Sequence, residues 1–184
     1  ATVVVGSLTD PTAVREVPFY PWIFQAPNGK VFLAGHKAET RYLDTTGTLG
    51  LPYGGCAETL RRLRAAGVRV ACVTNKEGRL TQQLLRHHGL VEAFDLVIGG
   101  DTLPQKKPHA SVLQHVAATL GVPMAQTAHV GDSSIDVMTA RNAGAAAWAV
   151  PWGYNAGQPV ASAEPDRIFH SLPAVADHVL EEAV

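Results

Sequence analysis

The apolar and polar positions divide the chain into two parts of different character. Residues 1–49 hold short apolar runs broken by turn-forming residues, whereas residues 50–184 alternate between helical and strand-like patterns. The first pattern is typical of short β-strands and the second of α/β structure. We therefore predict an N-terminal β-rich segment over 1–49 and an α/β core over 50–184.

The N-terminal segment predicts a strand at Thr2–Val5, a brief helix starting near Asp10-Pro11, and a β-hairpin. The hairpin is indicated by Asn28-Gly29 between two apolar runs, because Asn-Gly readily forms the tight turn that joins paired strands. A further strand is predicted over Thr40–Asp44.

The second part alternates helices with strands from Gly55 onward. Its run Val68–Val73, which is apolar except for Arg69, is typical of a strand covered on both faces. Strands that alternate with helices form a parallel sheet with right-handed crossovers. The predicted fold class is α/β, a Rossmann-like core with helices on both faces of a parallel sheet. The remaining predicted elements are helices Gly55–Ala66, Gly78–His88, His109–Leu120, Ser133–Asn142 and Leu172–Glu182, and strands Phe94–Ile98, Thr127–Val130, Ala145–Val150 and Arg167–His170.

The composition and net charge indicate which classes of binding partner and which cellular compartment to expect. The formal net charge of −1 gives no reason to expect a nucleic acid or an anionic membrane. No apolar run approaches bilayer-spanning length, and the first residues do not resemble a signal peptide. Cys56 and Cys72 lack metal-type spacing and are expected to be reduced packing thiols. These features predict a cytoplasmic protein.

Asp132 and Asp136 are the first candidates for chemistry. Asp132 directly follows the predicted strand that ends at Val130, and Asp136 lies one turn into the next helix. Open α/β sheets bind ligands at the carboxyl ends of their strands. Two carboxylates there favour a hard cation, most simply Mg²⁺; the alternative is that Asp132 and Ser133 only cap the helix.

Thr74-Asn75, Lys106-Lys107 and Asp44 also follow the carboxyl ends of predicted strands. In one parallel sheet these ends meet at the same edge. They would supply a carboxylate nucleophile, a hydroxyl, an ammonium and, with Asp132 and Asp136, an acidic metal-binding pair. Phosphoryl transfer through an acyl phosphate needs this set of groups.

Four stretches of the sequence resemble those of haloacid dehalogenase superfamily phosphatases, and specifically of bacterial phosphoglycolate phosphatases. The resemblance covers residues 52–184. It is carried by Val73-Thr-Asn-Lys76, Gly99-Gly-Asp-Thr-Leu-Pro-Gln-Lys-Lys-Pro-His109, Val130-Gly-Asp-Ser-Ser-Ile-Asp136 and Gly153-Tyr-Asn155.

The resemblance implies a Mg²⁺-dependent phosphatase that acts on a small phosphorylated substrate through an aspartyl-phosphate. By resemblance, Thr74 and Asn75 hold the phosphoryl group, and Lys107 neutralises the nucleophile and the phosphate. Asp132 ligates Mg²⁺, and Asp136 supports the metal either directly or through its neighbours.

The N-terminal part departs from the family at its first motif, a strand that ends in Asp-x-Asp-Gly-Thr. The nearest match is Asp44-Thr45-Thr46-Gly47-Thr48-Leu49, with Thr46 in the second acidic position. P-type ATPases carry a similar Asp-x-Thr-Gly-Thr-Leu and form an aspartyl-phosphate. Asp44 therefore stays the candidate nucleophile, and Asp44 and Thr46 are candidate metal ligands. In the family the first Asp of this motif attacks phosphorus and the second is the general acid/base. Loss of that general acid should slow alkoxide expulsion by roughly 10²–10⁴-fold.

A second departure concerns the helical cap domain that phosphoglycolate phosphatases insert after this motif. Here Leu49 runs almost directly into Leu51, so an open, capless site is predicted. The cap selects the substrate, and the specificity of the resembled enzymes is therefore not carried over. Uncovered apolar surface favours self-association as a homo-oligomer, with exchange of the N-terminal segment.

Residues 19–35 and 41–47 also resemble a blade of a kelch-type β-propeller, as in galactose and glyoxal oxidases. In that interpretation Asp44 is a turn residue, and the chain is a natural or engineered fusion of two unrelated pieces. A single blade cannot bury its faces alone, so it would dock on the α/β part or on another chain.

Three functions follow from these alternatives. In the first, the chain is a Mg²⁺-dependent phosphohydrolase in which Asp44 attacks phosphorus. In the second, it is a non-catalytic binding module that retains a metal and phosphate pocket. In the third, a Mg²⁺-bound water hydrolyses activated phosphate esters without a covalent intermediate.

Overall fold

The computed structural model describes residues 2–5, 22–25, 31–34, 41–43, 52–153, 155 and 157–181. Within these ranges strands and helices follow one another in the predicted order, with boundaries that move by one or two residues. The strands are β1 Thr2–Val5, β2 Trp22–Gln25, β3 Val31–Ala34, β4 Arg41–Leu43, β5 Arg69–Val73, β6 Leu96–Ile98, β7 Thr127–Gly131, β8 Ala146–Ala149 and β9 Arg167–Ile168; the helices are α1 Cys56–Ala65, α2 Gly78–His87, α3 Ser111–Leu120, α4 Ser134–Ala143 and α5 Leu172–Glu181; and short 3-10 turns span Val91–Ala93, Met124–Gln126 and Val160–Ala163.

Six strands form one parallel sheet in the order β6-β5-β1-β7-β8-β9. The register places Val5 of β1 opposite Cys72 of β5 and Val130 of β7. Because every pairing is parallel, the carboxyl ends of all six strands lie at one edge of the sheet. The predicted α/β, Rossmann-like fold class is confirmed.

Helices cover both faces of this sheet. Successive side chains of a strand point to opposite faces, so Val70 and Cys72 of β5 join one apolar cluster while Ala71 and Val73 join the other. The first cluster includes buried residues of α1 and α5, and the second includes buried residues of α3 and α4. Burial on both faces explains the apolar run Val70–Val73 that follows the exposed Arg69 in β5.

Strands β2, β3 and β4 form a separate antiparallel sheet. Gln25 lies opposite Val31, which confirms the predicted pairing of the two hairpin strands. The Asn28-Gly29 turn and the helix expected near Asp10-Pro11 lie outside the described residues.

The expectation that the strand ending at Leu43 shares the edge of the parallel sheet is wrong. β4 pairs with β3, and β1 occupies the position between β5 and β7. A short connection pairs consecutive strands antiparallel, whereas a parallel neighbour needs a crossover. Three successive valines in β1, Val3–Val5, are a sequence typical of a central strand of a parallel sheet.

Both cysteines are buried and free, as predicted. Burial raises the pKa of the Cys56 thiol to about 11 and that of the Cys72 thiol to about 12, so both stay protonated and uncharged at neutral pH. None of the helices in the described part of the chain has the length and apolar character that crossing a bilayer requires.

Candidate functional site

Three predicted site segments meet at the carboxyl edge of the parallel sheet. Thr74 follows β5, Gly99 follows β6, and Asp132 follows β7. β5 and β6 are neighbours, and only β1 separates β5 from β7. The loops after these strands are therefore close enough for their side chains to contact one another.

Lys107 is at the centre of these contacts. Its side chain is buried, whereas Lys106 beside it is exposed. Lys107 Nζ donates to Asp136 Oδ1 over 2.6 Å and to the backbone oxygen of Val73 over 3.2 Å. An ammonium carries three N–H donors, so these two bonds leave one donor for a ligand at the strand edge.

Asp136 accepts hydrogen bonds through both carboxylate oxygens. Oδ1 accepts from Lys107 Nζ and from His129 Nε2, the latter over 3.1 Å. Oδ2 accepts from the backbone N–H of Ser133 over 3.2 Å and from its hydroxyl over 2.7 Å. These donors engage both carboxylate oxygens, and the predicted role of Asp136 at a metal stays a prediction.

The charge of the Asp136 carboxylate is stabilised by its partners. Burial by itself raises the pKa of Asp136, but the Lys107 ammonium and the contact with His129 outweigh burial and hold that pKa far below its usual range. The carboxylate is therefore ionised at neutral pH, and it can only accept hydrogen bonds.

Gly131 allows the Asp136 carboxylate to lie against the end of β7. A Cβ atom at Gly131 would lie 2.1 Å from Asp136 Cγ, so a larger residue would displace the carboxylate. The N-cap of α4 is Ser133, and Asp136 binds the Ser133 N–H. Ser133 and Asp136 therefore cap this helix, and Asp132 precedes the cap.

Asn75 holds the backbone of Lys107. Its Oδ1 accepts from the Lys107 N–H and its Nδ2 donates to the Lys107 carbonyl, each over 3.0 Å. Nδ2 carries two hydrogens, and one of them is donated to the Lys107 carbonyl. The second Nδ2 hydrogen and the backbone N–H are therefore the donors that Asn75 could offer to phosphate, and its role there stays a prediction.

Thr74 is half-buried directly after β5. Its Oγ1 accepts the backbone N–H of Lys76 over 3.1 Å, which shapes the turn that leads to α2. A hydroxyl that accepts in this way still has its own hydrogen to donate. The N-cap of α2 is Glu77, so Thr74 is not the cap of that helix.

The Gly99-Gly100-Asp101 stretch brings the loop after β6 against the loop after β5. A Cβ atom at Gly100 would lie 2.2 Å from the Asn75 carbonyl oxygen, and one at Gly99 would lie 2.6 Å from Gly78 Cα. Asp101 Oδ1 accepts the Gly78 N–H over 2.6 Å at the first residue of α2. The two glycines therefore permit a backbone contact that larger residues would prevent.

Asp132 is half-buried and is held by the segment after β8. A Cβ atom at Gly153 would lie 2.4 Å from Asp132 Oδ2, so the Gly153 backbone packs against the carboxylate. Asn155 Oδ1 accepts the Ser134 N–H over 2.9 Å at the start of α4. The Gly-Tyr-Asn stretch thus supports the loop that carries Asp132; Tyr154 lies outside the described residues.

The described side chains at this edge could provide only part of a Mg²⁺ coordination shell. Among the described residues, no three His, Cys, Asp or Glu side chains form a group that could hold a metal by themselves. Mg²⁺ commonly binds one or two carboxylates and completes its shell with waters and substrate phosphate. Asp132 is the carboxylate placed to provide such a contact.

Asp44 and Thr46, the predicted nucleophile and metal ligand, lie outside the described residues. The strand that precedes them, β4, belongs to the antiparallel sheet, whereas Thr74, Lys107 and Asp132 follow the parallel sheet. Their roles remain predictions.

Sequence reasoning missed His129. Its side chain is fully buried on β7, next to the predicted motif, and contacts Asp136. A strand interior is usually apolar, so a histidine two residues before Gly131 in the apolar stretch Ala128–Val130 was the available clue.

Comparison with known proteins identifies one family whose members resemble this chain. A family model described as haloacid dehalogenase-like hydrolase matches residues 35–150, a range that includes the Asp44-Thr-Thr-Gly-Thr-Leu stretch. A protein named phosphoglycolate phosphatase from Nitrosococcus oceani is 40% identical over 140 residues, which cover 74% of this chain and 62% of that protein. A second with this name, from Thiobacillus denitrificans, is 40% identical over 68% of this chain and 55% of its own length.

Solved structures agree with the fold. A structure described as a predicted phosphoglycolate phosphatase from Haemophilus somnus 129PT superposes with a TM-score of 0.69 at 33% identity, over 71% of this chain and 58% of that chain. The chain therefore spans about three fifths of the length of the relatives that it matches.

Proposed function

Because the chain belongs to the haloacid dehalogenase-like hydrolase family, we propose that it is a Mg²⁺-dependent phosphatase that hydrolyses small phosphate esters. The observation that carries this proposal is the buried Lys107 ammonium, which is held by Asp136 and the Val73 carbonyl and keeps one N–H donor. A fixed cation stabilises the charge of a transferring phosphoryl group without reorganising during the reaction. The names of the relatives support the same reaction class.

Binding of the phosphoryl group would use donors from two loops. Lys107 neutralises its charge, and the Thr74 hydroxyl and the Asn75 backbone N–H donate to its oxygens. Asn75 also fixes the position of Lys107 through its two side-chain bonds to the Lys107 backbone. A preorganised set of donors is the main contribution that a protein makes to phosphoryl transfer.

Asp132 would hold Mg²⁺, together with Asp44 and Thr46 if their segment reaches the site. Mg²⁺ bound there would neutralise negative charge on the phosphate oxygens. Asp136 would act on the metal site indirectly, since it fixes Lys107 and the Ser133 end of α4.

Asp44 would attack phosphorus with a carboxylate oxygen, and the ester P–O bond would break as the alcohol leaves. Water would then hydrolyse the acyl phosphate and restore the carboxylate. Thr46 cannot supply the proton that an alkoxide needs, so the leaving group would take it from water. Aryl and acyl phosphates, whose phenolate and carboxylate groups leave without such help, are therefore the favoured substrates.

A second candidate function is a binding module that takes up phosphate without hydrolysing it. It is favoured by the pairing of β4 in the antiparallel sheet, which is not the sheet whose strands precede Thr74, Lys107 and Asp132. The blade-like interpretation of the N-terminal segment, with Asp44 as a turn residue of a fused piece, belongs to the same alternative.

The specificity of the site would differ from that of the relatives. The helical cap expected after the first motif is replaced by the direct run from Leu49 to Leu51. We propose an open site that accepts leaving groups of varied size, because no inserted domain would close over them.

The test is a Mg²⁺-dependent assay of orthophosphate release across aryl, acyl and alkyl phosphates, with Asp44→Asn and Asp132→Asn beside the parent. The proposal expects activity on aryl esters that Asp44→Asn abolishes. Unchanged activity in Asp44→Asn supports hydrolysis without a covalent intermediate. Orthophosphate binding without turnover in the parent supports the binding module.

A further inference from the structure

We propose that His129 is a positioning residue of the phosphate site, which fixes the Asp136 carboxylate and through it the Lys107 ammonium. The proposal rests on the proposed role of Lys107 in binding phosphate. His129 is fully buried on β7, and its Nε2 lies 3.1 Å from Asp136 Oδ1. Lys107 Nζ lies 2.6 Å from that same oxygen.

The chemistry of the contact fixes the form of the imidazole. The ionised Asp136 carboxylate has no hydrogen to donate, so the hydrogen between the two groups belongs to His129 Nε2. His129 is therefore a donor to Asp136, and its Nε2–H form is the one that the site requires.

The two oxygens of Asp136 are held from two different elements. Ser133, at the start of α4, holds Oδ2 with its N–H and hydroxyl. His129, in β7, holds Oδ1 from the sheet. With both oxygens held, the carboxylate cannot turn about its Cβ–Cγ bond to follow Lys107, so the ammonium stays beside the Val73 carbonyl at the strand edge.

Three substitutions separate positioning from general stability. His129→Leu removes the donor, and His129→Gln restores an N–H donor at a similar reach. Thr139→Val is the matched control, because Thr139 is fully buried and donates to the Ile135 carbonyl within α4, apart from the Lys107–Asp136 contact.

Orthophosphate affinity in the presence of Mg²⁺, measured by titration calorimetry on the full chain, is the first readout. We expect His129→Leu to weaken binding by about tenfold, the equivalent of one lost hydrogen bond to a charged group, and His129→Gln to stay within about threefold of the parent. Thr139→Val should lower the urea midpoint but leave the affinity unchanged. Equal affinity in His129→Leu and the parent overturns the proposal.

The second readout does not depend on phosphate or on turnover. In ¹H–¹⁵N spectra of the metal-free protein we expect a slowly exchanging Nε2–H of His129 and a visible Lys107 ammonium signal. The ammonium signal should vanish in His129→Leu and persist in His129→Gln.

The two readouts distinguish failure of the inference from failure of the proposed function. If the parent binds no orthophosphate, the proposed function fails, and the spectra alone decide the role of His129. Loss of the ammonium signal in His129→Leu then supports positioning. An Nδ1–H form of His129, or an ammonium signal indifferent to His129→Leu, overturns it.

Discussion

Lys107 and Asp136 form a buried ion pair that matters more for where it holds the two side chains than for the net stability it adds. Removing two charges from water costs several kcal/mol, and the attraction between them largely offsets that cost without exceeding it greatly. The pair is nevertheless sensitive to the loss of one partner, since the other charge is then left buried. The side chains of both residues are less than one-tenth exposed.

Asp136→Asn tests this asymmetry. We expect the free energy of unfolding to fall by about 3 kcal/mol, because Lys107 keeps its charge and loses its counterion. Urea unfolding at pH 7 measures the change. The control is Asp95→Asn, which removes a carboxylate paired with the more exposed Arg64 and Arg69 and should have a smaller effect. Equal losses in the two variants would show that burial of the pair is not the cause.

The same pair sets an acid limit on stability. The folded pKa of Asp136 lies below its unfolded value, so the unfolded chain takes up a proton first as the pH falls. The stabilisation is complete above about pH 4 and is lost progressively below it. Between pH 4 and pH 2 the parent should therefore lose stability more steeply than Asp136→Asn. Parallel curves would contradict this origin.

Gly131→Ala tests the close approach of strand and carboxylate. The added Cβ would lie 2.1 Å from Asp136 Cγ and would push the carboxylate away from Lys107. We expect a loss of about 1–3 kcal/mol in stability together with weaker orthophosphate binding. Gly54→Ala is the control, because no described atom lies within 4 Å of a Cβ there. A Gly131→Ala variant that binds orthophosphate as tightly as the parent does would argue against this steric role.

At the scale of elements, the site depends on contacts between loops that follow different strands. The loop after β5 is joined to the loop after β6 by Asn75 and by the Asp101 cap on α2. The loop after β7 is joined to the segment after β8 by Asn155. In each of these contacts a side chain binds the backbone of another loop. The contacts therefore fix the path of that backbone and also stabilise it.

Asn75→Ala tests the first of these contacts. It removes both bonds to the Lys107 backbone, and we expect a destabilisation of about 1–3 kcal/mol with a parallel loss of orthophosphate affinity. The control is Asn142→Ala, which removes one hydrogen bond to the carbonyl of Pro108, the residue that follows Lys107. It should leave the affinity intact. Calorimetry measures the affinity and urea unfolding measures the stability. Comparable losses of affinity in both variants would show that the two bonds from Asn75 to the Lys107 backbone have no specific role in binding.

At the scale of the whole molecule, β1 completes the parallel sheet. It pairs with β5 on one side and with β7 on the other, across a long separation in sequence. Strand β4, which precedes the stretch nearest to the family's first motif, pairs with β3 instead. The identity of the central strand therefore bears on the prediction that Asp44 is the nucleophile.

Proline substitution identifies the central strand. Val4→Pro removes a ladder hydrogen bond from β1 and should destabilise the α/β core by about 3 kcal/mol or more. Tyr42→Pro makes the matched change in β4 and should leave thermal unfolding of that core almost unchanged. Circular dichroism melts compare the two. The reverse order would place β4 in the sheet and would favour Asp44 as the nucleophile.

Self-association is a further expectation at this scale. A central strand distant in sequence from its neighbours can be supplied by a second copy of the chain, which is the route of segment exchange. Light scattering at micromolar concentration should then give a mass above the 19.5 kDa of one chain. A mass of one chain under these conditions would count against exchange.

Much of the fold could be predicted from the sequence because its causes are local. The apolar residues of β5, the helical spacing of apolar residues in α3 and Gly67, whose positive φ follows the end of α1, are signals that act within a few residues. Helix α3 begins at Ser111 and not at the predicted His109, and the His109 Nδ1 accepts the Ser111 N–H at this boundary.

By itself the sequence determined the α/β class, the order of its elements and the set of residues that follow the strand ends, because periodicity and motif spacing are properties of neighbouring residues. Only the tertiary structure decided which strand fills the centre of the sheet and what each polar side chain contacts. In the folded chain the Asn75 amide binds the Lys107 backbone, Asp136 accepts hydrogen bonds from several donors, and His129 contacts Asp136. Those outcomes depend on packing between residues far apart in the chain, where long-range geometry overrides local pattern.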